Sequence, residues 1–81
     1  MNEELILNRI KQVFREIFAN GSLEINPSTS AKDIEEWDSL THVRLIISHE
    51  IEFGLRFSPS EVGDLKNVRD LISLITSKLE D

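Results

Sequence analysis

The chain has no cysteine and no tyrosine, a single tryptophan, two prolines, three glycines, and nine lysines and arginines against fifteen acids. Without cysteine there is no disulfide framework, no thiol nucleophile and no thiolate metal site. The shortage of base leaves a formal net charge of −6 and argues against nucleic acid as a partner, because phosphate contacts need a basic face. The same excess of acid suits neither an anionic membrane nor an acidic substrate, and favours a partner with a basic patch. No apolar run reaches the length of a membrane span. The opening Met1-Asn2-Glu3-Glu4 also lacks the basic start and apolar core of a signal peptide. The expectation is a soluble, cytoplasmic, monomeric protein that is not inserted in a membrane.

What is present is apolar surface. Leu, Ile, Val and Phe make up 28 of the 81 residues, above the level at which chains stay disordered. That length allows one small domain, residues 1–81, with one thin core.

Ile6, Ile10, Val13 and Ile17 recur at helical spacing, widened by Phe14 and Phe18, and predict a helix from about Glu3 to Ala19. Asn2 stands at the N-cap, Glu3 and Glu4 face the positive end of the dipole, and Asn20-Gly21 is a stop signal. From Asn20 to Asp38 no period holds. Leu23, Ile25 and Ile34 are isolated apolar anchors among turn formers, as expected of a loop spanning the length of a bundle. A second helix starts after Asp38 and ends at Phe53-Gly54. Ser58-Pro59-Ser60-Glu61 combines a capping box with Pro at the first helical position and opens a short helix that Gly63 limits. Asn67 caps a last helix with Val68, Leu71, Ile72, Ile75 and Leu79 on one face. The reading is all-α: a four-helix bundle, three helices long and one short, with a long loop between the first two.

The second helix carries two opposed apolar stripes. Leu40, Val43, Ile47 and Ile51 lie on one side; Leu45, Ile46 and Phe53 lie on the other, with His42 and His49 among them. Either the helix sits centrally, or one stripe is kept exposed for a partner. Periodicity leaves open which stripe is core. Just before the helix, Asp33-Ile34-Glu35-Glu36-Trp37-Asp38 places four acids within six residues, followed by Ser39 in the first turn. Most serines there are simply helix-start residues. A hydroxyl at a rigid helix end can also accept a covalent group, and a phosphate on it would lie at the positive end of the dipole.

Asp38-Ser39-Leu40, opening a helix after a long loop and followed by Val43, Leu45, Phe53, a short helix and a final one, resembles the acyl carrier proteins over essentially the whole chain. The resemblance implies a non-catalytic carrier with 4′-phosphopantetheine attached covalently to Ser39, framed by Asp38 and Leu40, and acyl or aminoacyl cargo held as a thioester. It implies as partners a phosphopantetheinyl transferase and the enzymes that load and consume the cargo, in fatty-acid or secondary-metabolite biosynthesis. They would dock on Leu40, Val43, Arg44, Ile47, Glu50 and Ile51, while Leu45, Ile46 and Phe53 face the core. Carriers of bacterial fatty-acid synthesis usually have acids where this chain has Thr41, Arg44 and Ile51, and often Ala where it has Trp37. The departures imply a specialised stand-alone carrier rather than the housekeeping one, since a reversed charge costs encounter rate with a basic enzyme.

Other readings are weaker. Asp38, Ser39 and His42 are neighbours at one helix start and lack the oriented base and oxyanion hole of a hydrolase. His42 and His49, about 10 Å apart along a helix, cannot share a metal ion. His49 reads as a hydrogen-bonded core residue and His42 as a cavity border, with contact to a polar cargo the alternative for either. The acidic turn lacks the central Gly and distal Glu of a calcium loop. Trp37 reads as a packing residue over the loop–helix junction. The rival function is a small acidic interaction module, without a prosthetic group, that binds a partner helix through the Leu40/Val43/Ile47/Ile51 stripe. It would survive loss of Ser39; a carrier would not.

Overall fold

Asn2 starts the first helix by accepting the Leu5 amide on its side-chain oxygen at 2.9 Å, and the computed structural model describes residues 2–80. Met1 and Asp81, the ends of the expected domain, lie outside the described residues. Four helices follow: α1 (Glu3–Ile17), α2 (Ser39–Phe53), α3 (Pro59–Gly63) and α4 (Val68–Glu80). The all-α reading, its order of elements and the long loop before α2 agree with this architecture.

Helix α1 is the hub and packs against both α2 and α4. Its face of Ile6, Ile10, Val13 and Phe14 meets Leu45 of α2 and Val68, Leu71, Ile72 and Ile75 of α4, all buried. Ile25 and Ile34 from the loop complete this core, and Leu23, Trp37, Phe53 and Phe57 pack partly buried around it. The loop also supplies what α4 needs at its start. The Val68 and Arg69 amides, without acceptors inside the helix, donate to the carbonyls of Thr29 (2.9 Å) and Pro27 (2.8 Å). The Asn67 side chain accepts from the Asp70 amide at 2.9 Å, as its N-cap position predicts. The contact between Ser30 and Asn67 is an isolated bridge, so the loop is clamped to α4 without forming a sheet.

The end of α1 departs from expectation. The left-handed residue is Ala19, at φ 51°, two positions before the glycine taken as the stop. The Asn20 amide donates to Arg15 O (3.0 Å) and the Ala19 amide to Glu16 O (3.3 Å), the paired bonds of a Schellman turn, which places Ala19 where glycine is usual. A Cβ in that region costs about 1–2 kcal/mol. Gly54, by contrast, sits at φ 65° and ends α2 as expected.

His49 is fully buried on the core side of α2. Its Nδ1–H donates to Leu45 O at 2.6 Å, while Nε2 has no partner among the described residues. The ring meets Phe14 edge-on (centroids 5.8 Å apart) and lies parallel to Phe53 (6.4 Å). Burial disfavours the imidazolium and lowers the pKa to about 4, against a partial opposing effect of the Leu45 carbonyl.

Two outcomes are expected. Ala19→Gly stabilises the fold by about 0.5–1 kcal/mol, the relieved strain less the added entropy of an unfolded glycine, read as a higher urea midpoint with unchanged slope. The unfolded chain binds a proton on His49 near pH 6.5 that the folded chain refuses until about pH 4. Stability therefore falls as pH drops through that window, by about 1.4 kcal/mol per pH unit from this group. His49→Leu removes that contribution, and the slope between pH 6.5 and 5 in urea titrations, where the unfolded imidazole is only partly protonated, is then shallower by about 1 kcal/mol per pH unit.

Candidate functional site

Asp38 has extended backbone angles (φ −120°, ψ −170°) and caps α2. Its carboxylate accepts from the Thr41 amide at 3.0 Å, and the Thr41 hydroxyl accepts from the Asp38 amide at 2.8 Å. The same hydroxyl reaches Glu36 O at 3.0 Å as donor and ties the acidic turn to the helix. The cap holds the Asp38 carboxyl below its usual pKa, chiefly through the Thr41 amide. Thr41 was noted in the sequence only as a missing acid. Its spacing, three residues past an Asp cap, is the readable signal that it closes a capping box.

Ser39 follows as the first helical residue. It is exposed, and its hydroxyl enters no hydrogen bond among the described residues. An open groove of about 460 Å³ runs past it, lined by Ala31, Trp37, Asp38, His42, Leu65 and Lys66 as well as Ser39 itself. Ala31, Leu65 and Lys66 escaped the sequence reading because they come from separate loops that only the fold brings to the start of α2.

Trp37 does cover the loop–helix junction. Its ring packs edge-on against Phe14 at 5.3 Å and lies nearly parallel to His42 at 6.0 Å, and its Nε1–H donates to His42 Nδ1 at 3.1 Å. Trp37, His42 and Leu65 face both the groove and a closed apolar seam reaching inward to Phe14, Leu45, Val68 and Leu71. Open space in the seam is about 10 Å³, barely one water's worth, so the seam is filled as the structure stands. His42 borders this cavity as expected; His49 is sealed in the core away from it. His42 Nδ1 is engaged by tryptophan and the Asp38 carboxylate by Thr41, so among the described residues no acid orients His42 toward Ser39 as a hydrolytic triad requires.

Along α2 the two stripes separate as burial requires. Leu45 and Ile46 are buried and Phe53 is partly so, while Leu40 (72% exposed), Val43 (53%), Ile47 (50%) and Ile51 (78%) face outward. Helix α1, not α2, is central, so the outward stripe is left uncovered. Arg44 is exposed within it. Glu50 is partly buried and accepts the Phe57 amide at 2.9 Å, bracing the segment after α2. Shallow grooves flank the stripe, one shared with Phe57, Pro59 and Val62 of the α3 region and one with Gly54, Leu55 and Arg56. No helix of the described residues is long and apolar enough to cross a membrane, and no cluster of three metal-ligating side chains occurs among them.

No protein-family model matches the chain. Individual relatives do. The chain is 32% identical to acyl carrier protein 2 of Ralstonia nicotianae and 30% identical to the acyl carrier protein of Thermosynechococcus vestitus. Each alignment covers 98% of this chain and 98% of the relative. Among solved structures, it superposes on the solution structure of a holo acyl carrier protein from Geobacter metallireducens with a TM-score of 0.85 and 40% identity, covering 91% of this chain and 85% of that one. An acyl carrier protein from Thermotoga maritima shares the fold at a TM-score of 0.84 and 24% identity, over 99% of this chain and 93% of that one. Near-complete coverage in both directions, together with a capped serine opening the second of four helices, means that this chain belongs to the acyl carrier protein family.

Proposed function

We propose that Ser39 carries a 4′-phosphopantetheine arm, joined by a phosphodiester to its Oγ, and that residues 1–81 act as one carrier domain presenting acyl or aminoacyl groups to successive enzymes. The arm would supply the thiol on which cargo is held as a thioester, which suits a chain with no cysteine of its own. One observation carries the reading: an exposed hydroxyl stands at the first position of a helix whose start is locked by Asp38 and Thr41. The holo state of the Geobacter metallireducens relative supports it further.

The residues around Ser39 fit such a group. With coenzyme A as donor, the Ser39 Oγ–phosphorus bond would form as the pyrophosphate P–O bond breaks, adenosine 3′,5′-bisphosphate would leave and the serine proton would pass to a base of the transferase. The charge of the phosphodiester would lie at the positive end of the α2 dipole. Lys66, on the same groove, adds a cation. Asp38 serves as the cap, setting the direction of the Ser39–Leu40 turn. Trp37, His42 and Leu65 give the groove an apolar and aromatic wall against which a pantetheine stem can lie. In this reading Leu40, Val43, Arg44, Ile47 and Ile51 form the face for the transferase and for loading and consuming enzymes. Glu50 sits at its edge and holds the Phe57 turn that continues it. The chain itself is a non-catalytic cytoplasmic monomer. Thr41, Arg44, Ile51 and Trp37 favour a dedicated pathway over general fatty-acid synthesis.

Release and uptake of cargo fit a loosely held α3. Its capping box of Ser58 and Glu61 is complete and Lys78 pairs with Glu61 at 3.0 Å, but α3 has no buried residue. Few apolar contacts make for low local stability. Amides of residues 60–63 are expected to exchange well before those of α1 and α2; equal protection would contradict this. For the attachment itself, incubation with coenzyme A and a broad-specificity transferase should add the mass of one arm to the parent chain and none to Ser39→Ala. No gain on a folded parent would instead favour an interaction module acting through the exposed stripe.

A further inference from the structure

Arg44 stands in the middle of the outward face of α2. Leu40 lies one turn before it, Ile47 one turn after and Ile51 two turns after, so the four share one side of the helix. The three apolar neighbours are at least half exposed, and Arg44 is exposed with them. It is the one lysine or arginine in α2, and the positions three and four away are Leu40, Thr41, Ile47 and Ser48, none of them acidic. Arg9, Arg69 and Lys78 pair with Glu52, Glu3 and Glu61; Arg44 has no ion-pair partner among the described residues. Glu50, the nearest acid further along α2, is already committed to the Phe57 amide.

A partner that covers Leu40, Ile47 and Ile51 must also cover the Arg44 stem and strip water from its guanidinium. Leaving that charge unpaired in an apolar contact is costly, whereas a carboxylate meets its planar fork with two charge-assisted bonds. A polyanionic surface is a poor alternative for a chain of net charge −6, with Glu35, Glu36 and Asp38 just before the helix. We infer that Arg44 is the specificity determinant of this face, and that the enzyme loading this carrier presents an apolar groove with an aspartate or glutamate at its centre. The inference rests on the carrier reading and adds the chemistry of the partner to it.

The test uses the full chain, converted to its arm-bearing form by prolonged incubation with transferase and checked by mass, and the loading enzyme purified from the source cell by following thioester formation. Arg44→Ala should lower kcat/KM for loading about tenfold and Arg44→Glu about a hundredfold, mainly through KM, with unchanged helix content by circular dichroism. In Arg44→Lys, a zero-length carbodiimide should join the new amine to an aspartate or glutamate of the loading enzyme, located by mass spectrometry of the linked peptides. Loading of Arg44→Glu at the parent rate or faster overturns the inference. So does a crosslink that falls only on a second copy of this chain, or none at all. Failure of the parent chain to take the arm overturns the carrier reading and this inference together; normal arm addition with loading indifferent to residue 44 overturns this inference alone.

Discussion

The Phe14 ring is the contact on which the site depends. It is almost wholly buried on α1, and Phe18, Trp37 and His49 all pack against it within about 6 Å, centroid to centroid. Through Trp37 it fixes the end of the long loop, and Trp37 in turn holds His42 by hydrogen bond and by ring contact. Through His49 it fixes the core side of α2. The position of the helix start, and so of Ser39, is therefore set from α1 by aromatic packing. The Asp38–Thr41 cap then sets the local direction of the chain.

Two demands compete on α2. Its inner side must fill the core with Leu45, Ile46 and His49, while its outer side keeps Leu40, Val43, Ile47 and Ile51 in water. A helix apolar on both sides is a poor surface helix, and exposing such a stripe is costly unless something covers it part of the time. The small hydrophobic core can tolerate this because α1 and α4 carry sharply divided faces and the loop residues Ile25 and Ile34 contribute from outside the helices. His49 shows the same economy of space: a polar ring occupies a site between two phenylalanines, with one nitrogen satisfied by its own helix and the other left without a partner among the described residues.

Charge is distributed with similar consequence. Acids gather before α2 and towards its end, whereas its middle carries one arginine in an apolar setting. Net charge acts on the approach of partners over distance, whereas a guanidinium with no ion-pair partner among the described residues acts at contact range.

Element type and order were legible from the sequence because local rules agree with one another. Asn2, Asp38, Ser58 and Asn67 occur where caps belong, Gly54 where a helix must end, and the apolar faces of α1 and α4 keep one period. The end of α1 was misread because a Schellman turn can be closed by alanine at the cost of strain, and the nearby Asn20-Gly21 is the stronger composition signal. Asp38-Ser39-Leu40 was legible as a capped serine, with the family resemblance attached to it. Which α2 stripe faces water was not legible from periodicity, since both have helical spacing and comparable apolarity; the family resemblance implied the Leu40/Val43/Ile47/Ile51 side, and the packing of α1 against α2 agrees with it. Nor could the sequence place Ala31, Leu65 and Lys66 beside Ser39, or join Trp37 to His42. Leu65 and Lys66 come from the segment between α3 and α4, while Ala31, Trp37 and His42 lie near Ser39 in sequence but are set by a loop and a helix start whose contacts periodicity does not report. The sequence by itself determined four helices and their caps, whose causes lie within a few residues. The tertiary structure decided which surface is exposed and what surrounds the serine, because burial is a property of the whole core.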